Sequence, residues 1–213
     1  MRSIRTIILA AALTLSAATA ALATPSGQIW IPSTDAKGFK EVNISIDNYV
    51  RFSSASDAGA NYFNAGVTAG VLPFEKFKME IGVDFLTDGL QGSDSIGSKH
   101  PIYFNFKGAI VEDAFFKGMP AIAAGMYGIG SFDRGVAGNT MANVAYGLVA
   151  KTFPVVGRIS AGGYNGAEKN LGHKYNTGLL LSWDRTISEI SDKLWMSVDY
   201  MGGNNYYNAL SAG

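Results

Sequence analysis

Nine ionisable side chains recur at alternate positions within otherwise apolar runs: Asp47, Arg51, Lys78, Glu80, Asp84, Lys107, Arg158, Asp184 and Asp199. In FKMEIGVDF, for example, Phe77, Met79, Ile81, Val83 and Phe85 alternate with Lys78, Glu80, Gly82 and Asp84. That spacing puts charge on one face of a strand and hydrocarbon on the other. Both signs occur, so two kinds of chemistry are open to the shared face. It could line a water-filled passage whose transverse field screens small solutes by charge, or it could pair into a buried polar network that fills and stiffens the interior.

Other chemistry is thin. The 2 histidines, His100 and His173, fall at the ends of polar loops, near Asp94, Ser98, Glu168 and Asn170. A hydrolase would need a His with such a partner, but neighbours along a loop do not define a geometry, and both read as solvated loop residues. No calcium-binding helix–loop–helix pattern surrounds Asp88 and Asp94, and Gly125, Gly128 and Gly130 in GMYGIG miss the phosphate-binding spacing. They read as small residues facing a crowded interior. With 0 Cys, a lipid-modified cysteine, a disulfide framework and a thiolate metal site are excluded. The sequence therefore points to no cofactor, no metal and no enzymatic step.

The elements that must position these charges are strands. One face of KEVNISIDNYVRF carries Val42, Ile44, Ile46, Val50 and Phe52, with Asn48 the exception; the other carries Asn43, Ser45, Asp47, Tyr49 and Arg51. NYFNAGVTAGVL and IYFNFKGAI continue the alternation, and AIAAGMYGIG, MANVAYGLVA, GRISAGGYN, NTGLLLSWD and LWMSVDYMG allow it more weakly. Nine runs of about 9 to 12 residues match the length of a tilted strand crossing a bilayer, and a tenth begins near Asn208. The connections alternate too. LPFEK, VEDAFFKGMP, TFPVVG and TISEISDK are compact, whereas SSASDAGA, TDGLQGSDSIGSKH, SFDRGVAGNT and GAEKNLGHK are loose and polar. Pro73 and Pro154 belong at hairpin ends, because proline cannot donate to a ladder. The first such hairpin is expected to set Gly70 opposite Lys78, Thr68 opposite Glu80 and Asn64 opposite Asp84.

Arg2 and Arg5, the apolar run that follows them and Ala21-Leu22-Ala23 form a secretory signal pattern, with cleavage expected after Ala23. Cleavage removes two of the 17 Lys+Arg and none of the 17 Asp+Glu, leaving the mature chain near neutrality. Nucleic acid is excluded as a partner, since phosphate neutralisation needs clustered Lys and Arg. Only 16% of residues are charged, against about 25% in ordinary soluble domains. The organisation expected is a signal peptide over residues 1–23, an aperiodic N-terminal periplasmic extension over 24–39, and one strand-built body over 40–213.

The cleavable signal, the two-residue repeat and the alternation of short turns with long loops resemble bacterial outer-membrane β-barrel proteins of the porin-like type, over residues 40–213. Aromatic residues near the strand ends, among them Tyr62, Phe77, Tyr103, Phe153, Trp183 and Trp195, fit the interfacial girdles of that class. The resemblance implies an all-β, antiparallel up-and-down transmembrane barrel in the outer membrane of a Gram-negative type envelope, handled by the outer-membrane assembly machinery. In such a barrel Asp47, Arg51, Lys78, Glu80, Asp84, Lys107, Arg158, Asp184 and Asp199 line the lumen. Val42, Ile44, Ile46, Val67, Met79, Ile81, Val83, Phe104, Phe106, Leu179, Leu181, Met196 and Val198 face lipid. Nine to ten strands do not make the closed, aromatic-ended product of the class, so the chain reads as a C-terminally truncated fragment of a barrel with about 12 strands. The function expected is passive passage of small hydrophilic solutes. A plugged, non-conducting scaffold or adhesion barrel and a soluble secreted β-sandwich binding protein are the alternatives. Solute, selectivity and oligomeric state are not encoded in any feature of the sequence.

Overall fold

The computed structural model describes residues 26–49, 61–134 and 139–213. The signal segment, its cleavage site, Arg51 and Phe52 lie outside these residues. Ten strands follow one another: β1 Val42–Tyr49, β2 Tyr62–Gly70, β3 Phe77–Asp88, β4 Ile102–Ile110, β5 Ala121–Gly130, β6 Val144–Phe153, β7 Gly157–Asn165, β8 Thr177–Thr186, β9 Trp195–Met201 and β10 Ala209–Ala212. They form one antiparallel sheet in the order β1 to β10, each strand paired with its sequence neighbour. This is an up-and-down meander in a single sheet, not two sheets packed face to face. Among the described residues the order does not return from β10 to β1, so the sheet is not closed. Two four-residue helical turns, α1 Ile96–Lys99 and α2 Glu168–Leu171, lie in the connections after β3 and β7.

The sheet is strongly curled. The Tyr127 hydroxyl on β5 approaches Met201 Sδ on β9 at 3.7 Å, although four strand spacings in a flat sheet would separate them by about 19 Å. Part of the curl is built in at β5, where the pairing with β4 slips by one residue between Phe104 and Phe106. Gly128 takes φ 63 there, a left-handed conformation that suits glycine and marks a bulge. Small residues allow close approach further along. A Cβ on Gly178 would lie 1.9 Å from the Gly202 carbonyl oxygen, and one on Gly162 2.0 Å from that of Gly147.

The register of the first compact hairpin differs from expectation. Gly70 faces Glu80, Gly66 faces Asp84 and Asn64 faces Leu86, two residues away from the expected pairing. Alternation fixes only which face a residue takes, and a slip of two leaves every face unchanged. The ladder ends where Val71 N–H donates to Met79 O at 2.8 Å, and Pro73, which has no N–H, falls in the connection beyond.

Connections after β3, β5 and β7 cover residues 89–101, 131–143 and 166–176, longer than those after β2, β4, β6 and β8 at 71–76, 111–120, 154–156 and 187–194. At the long-loop end the loops touch one another: His100 stacks on Phe132 with centroids 3.8 Å apart, and Tyr206 donates to Asn170 Oδ1. At the short-turn end Lys151 Nζ meets Glu112 Oε1 at 2.7 Å and Asp113 Oδ1 at 3.1 Å. The Lys151 ammonium, with the Gly118 N–H, holds the Asp113 carboxyl below the usual carboxylate range.

Two outcomes follow from this packing. Gly178→Val is expected to destabilise the fold by about 1 to 3 kcal/mol through overpacking, whereas Gly147→Ala, whose Cβ would meet nothing closer than 4.0 Å, is expected to change stability by less than about 0.5 kcal/mol; urea midpoints of the two variants decide. A depressed pKa means that the Asp113 contact persists above the ordinary aspartate value and is lost only as pH falls through the lower, folded one. An NMR titration of the Gly118 amide should therefore have its midpoint below about 3.9, and a midpoint at or above that value rules the pairing out.

Candidate functional site

The curl gives the sheet an enclosed face and an outward one, and the charges lie on the enclosed one. Glu80, Asp84, Lys107, Asp184 and Asp199 are buried. Asp47, Lys78 and Arg158 are half-buried at positions of the same parity. On the opposite face Val42, Ile44, Ile46, Val67, Ile81, Val83, Phe104, Phe106, Leu179, Leu181, Met196 and Val198 are exposed, Ile44 by 72%, and Met79 is half-buried.

The strand charges do not face each other across open space. Residues 26–35, part of the stretch expected to be an N-terminal extension, fold into a compact reversal against the enclosed face. Gln28 N–H donates to Ile31 O at 2.8 Å and Ser33 N–H to Ser26 O at 2.9 Å. Asp199 Oδ2 accepts from three successive main-chain amides, Ile29 at 2.9 Å, Trp30 at 2.7 Å and Ile31 at 3.1 Å. A concave run of N–H groups is a ready anion site, and here the anion is a side chain of β9. Glu80 and Lys107 form an ion pair at 3.2 Å with both side chains 0% exposed. Glu80 also accepts from Ser26 N, Ser26 Oγ and Lys37 N, and Lys107 Nζ donates to the carbonyls of Ser26 and Ser33. A buried pair survives only when its remaining donors and acceptors are satisfied, and the N-terminal segment satisfies them. Arg158 lies between Asp184 at 2.9 Å and Asp35 at 2.7 Å, while Gln28 Nε2 reaches Asp184 Oδ1 at 2.7 Å.

A second sector of the enclosed face is apolar. Tyr127, Val144, Tyr146, Leu148, Tyr164, Leu180 and Met201 form a buried cluster with Ile31, and Trp30 and Tyr207 pack against it. Trp30 Nε1 donates to Tyr207 O at 3.0 Å, and its ring meets Tyr49 of β1 edge-on at 5.4 Å. One indole thereby bridges β1 and the connection between β9 and β10. Gly125 makes room for this cluster: a Cβ there would lie 2.8 Å from the Tyr146 hydroxyl.

A third sector, on β1 to β4, is polar, with no counter-charge bonded to it among the described residues. Asp84 accepts from Asn105 Nδ2 at 2.6 Å and Asn64 Nδ2 at 3.5 Å, and no Lys, Arg or His among the described residues forms a salt bridge with it. The histidines play no part on the enclosed face. His173 makes an exposed pair with Glu168 at 2.7 Å, and His100 is the C-terminal cap of α1. Among the described residues no group of three or more His, Cys, Asp and Glu is placed to hold a metal ion.

Residues 26–37 and Asn105 were not legible as participants, because the segment binds mainly through its main chain and Asn105 carries no charge; Asn64 was expected near Asp84 and donates to it, though from a neighbouring row. No protein-family model, curated protein or solved structure matches this chain.

The amide cradle around Asp199 has a direct test, since a chain with 0 Cys accepts one reporter thiol. Thr34→Cys, at a position 3% exposed, should react slowly with a thiol reagent. Adding Asp199→Ala removes a charge-assisted acceptor worth about 1.5 to 3 kcal/mol and should speed labelling at least about tenfold. Equal rates in the two backgrounds would show that Asp199 does not hold the segment.

Proposed function

We propose that this chain is an integral outer-membrane β-barrel whose interior is closed by its own N-terminal segment. The observation that carries the reading is the distribution of residues between the two faces: Glu80, Lys107, Asp184 and Asp199 are enclosed, while Ile44, Ile81, Phe104, Leu179 and Val198 are exposed. A surface in contact with water favours the reverse, and a lipid-facing strand favours this one. The connections after β3, β5 and β7 at one end are longer than those after β2, β4, β6 and β8 at the other, and this supports the same reading, although 202–208 after β9 is short. In hydrocarbon, open edges would leave main-chain donors and acceptors unsatisfied at several kcal/mol each. The proposal therefore includes closure between β10 and β1 by further strands, in a product of about 12. Its partners are outer-membrane lipid and the assembly machinery that serves barrels, with no enzymatic step.

Closure by the segment is preferred to an open passage because Ser26, Gln28, Ile29, Trp30, Ile31 and Lys37 all donate to strand carboxylates. A porin-like passage for small hydrophilic solutes is the second reading, favoured by the mixed-sign charges that would remain on the enclosed face if the segment left it.

Full-length protein in planar bilayers separates them. The wild type should hold current near background, and Asp199→Asn, which weakens the amide cradle, should add brief openings. Steady wild-type conductance would replace the closed reading with the channel. Recovery in the soluble periplasmic fraction, without heat-dependent migration in SDS gels, would reject both.

A further inference from the structure

Val155 occupies a position whose backbone suits valine poorly. It is the middle residue of the connection between β6 and β7, with φ 68, and Val156 N–H donates across it to Pro154 O at 2.7 Å. A γ-turn of this hand is rare and strained, and a branched side chain fits a left-handed position badly. Glycine or asparagine would fit with less strain. The valine side chain meets little protein in return, because the residue is 80% exposed. In water nothing offsets the strain.

Large apolar residues also stand at the tips of the other connections of the short-turn end. Phe74 after β2, Phe115 and Phe116 after β4, and Ile190 after β8 are each more than half exposed. The connections are tied sideways into one rim. Val111 N–H donates to Lys76 O, and Lys76 Nζ lies over the Phe115 ring, 5.7 Å from its centroid. Thr152 N–H donates to Glu112, and Trp183 Nε1 to Val156 O at 2.7 Å. This rim also turns its polar groups on one another. Lys151 pairs with Glu112 and Asp113, and Arg185 with Glu189, while Met119 N–H donates to Phe116 O and Ile190 N–H to Ile187 O. Beyond those pairs the four connections hold Lys76, Lys117 and Lys193 against Glu75 and Asp192, close to balance.

We propose that the short-turn rim is immersed at the boundary between headgroups and acyl chains of a zwitterionic phospholipid leaflet, anchored by Phe74, Phe116, Val155 and Ile190. This rests on the barrel reading and carries it past the strand ends, into turns that would otherwise project into water. Apolar side chains beside charged ones hold an element at that depth. A planar layer meets all four connections at once, whereas a protein would have to encircle the rim to do so. Internal ion pairs and main-chain bonds lower the cost of leaving water, and near-neutrality suits headgroups without net charge. Transfer of the Val155 side chain out of water offsets the strain of its turn.

The test places one fluorescent thiol label on the full-length protein, which has 0 Cys, folded into phosphatidylcholine vesicles with iodide on both sides of the bilayer. Val155→Cys, Phe116→Cys and Ile190→Cys report the rim. Leu90→Cys, exposed in a long connection, is the aqueous reference, and Ile81→Cys, on the outward face of β3, is the lipid reference. Rim labels should be quenched by iodide at least about threefold less than the Leu90 label, and quenched by a lipid nitroxide placed near the headgroup, as groups at the boundary are. Iodide quenching equal to that at Leu90, with Ile81 protected, would overturn the rim and leave the barrel standing; iodide quenching at Ile81 as well would overturn the barrel itself. Shielding from iodide without quenching by the lipid nitroxide would put a second copy of the chain on the rim and overturn the proposal. Val155→Asn relieves the strained turn and removes the apolar side chain, so the urea midpoint in vesicles should fall. A midpoint that rises or stays places the tip in water and overturns the proposal too.

Discussion

Charge removed from water must find a partner, and this fold is organised by where those partners come from. The strands carry carboxylates and cations on the enclosed face at two-residue spacing, and strand neighbours alone do not neutralise them. Glu80 and Lys107 face each other across β3 and β4, yet an isolated buried pair is at best neutral for stability, because the desolvation of both ions offsets their attraction. What changes the balance is the main chain of residues 26–37, which offers amides to Glu80 and Asp199 and carbonyls to Lys107. The segment needs no periodicity for this, because its recognition groups belong to the backbone.

The enclosed face is thus divided into three kinds of surface. One sector is ionic and completed by the segment; one is apolar, built on Val144, Tyr146, Leu148, Leu180 and Met201 around Ile31; and one, around Asp84, is polar and carboxamide-lined among the described residues. The division follows the sheet: β5 and β6 turn small, aliphatic and aromatic residues inward, whereas β3, β8 and β9 turn carboxylates inward. Trp30 joins the sectors, with its main-chain amide on Asp199 and its ring beside Tyr49 and the apolar cluster.

This division also explains what could be read from the sequence. In β1 to β4 one face is charged or polar and the other apolar, so alternation exposes both the strand and its orientation, whereas in β8 and β9 the inward Leu180 and Met201 weaken it. In β6 the inward residues Val144, Tyr146, Leu148 and Ala150 are buried while the outward Val149 is exposed, and with both faces apolar the two-residue signal fades. The hairpin of β2 and β3 was displaced by two residues because face alternation is blind to even slips. Residues 26–35 look like an unstructured leader to any pattern based on side chains, since Asp199 contacts three of their N–H groups and no side chain. The enclosed charges were legible one at a time, but the segment that completes them was not.

The tie between Ile29 and Asp199 spans 170 residues, and it imposes an order of events during folding. Local hairpins can zip between neighbours as the chain is made, at small entropic expense. The amide cradle has nothing to hold until β9 has been laid down beside β8. The first described residues of the chain are therefore among the last to settle, and their protection reports that the curl is complete.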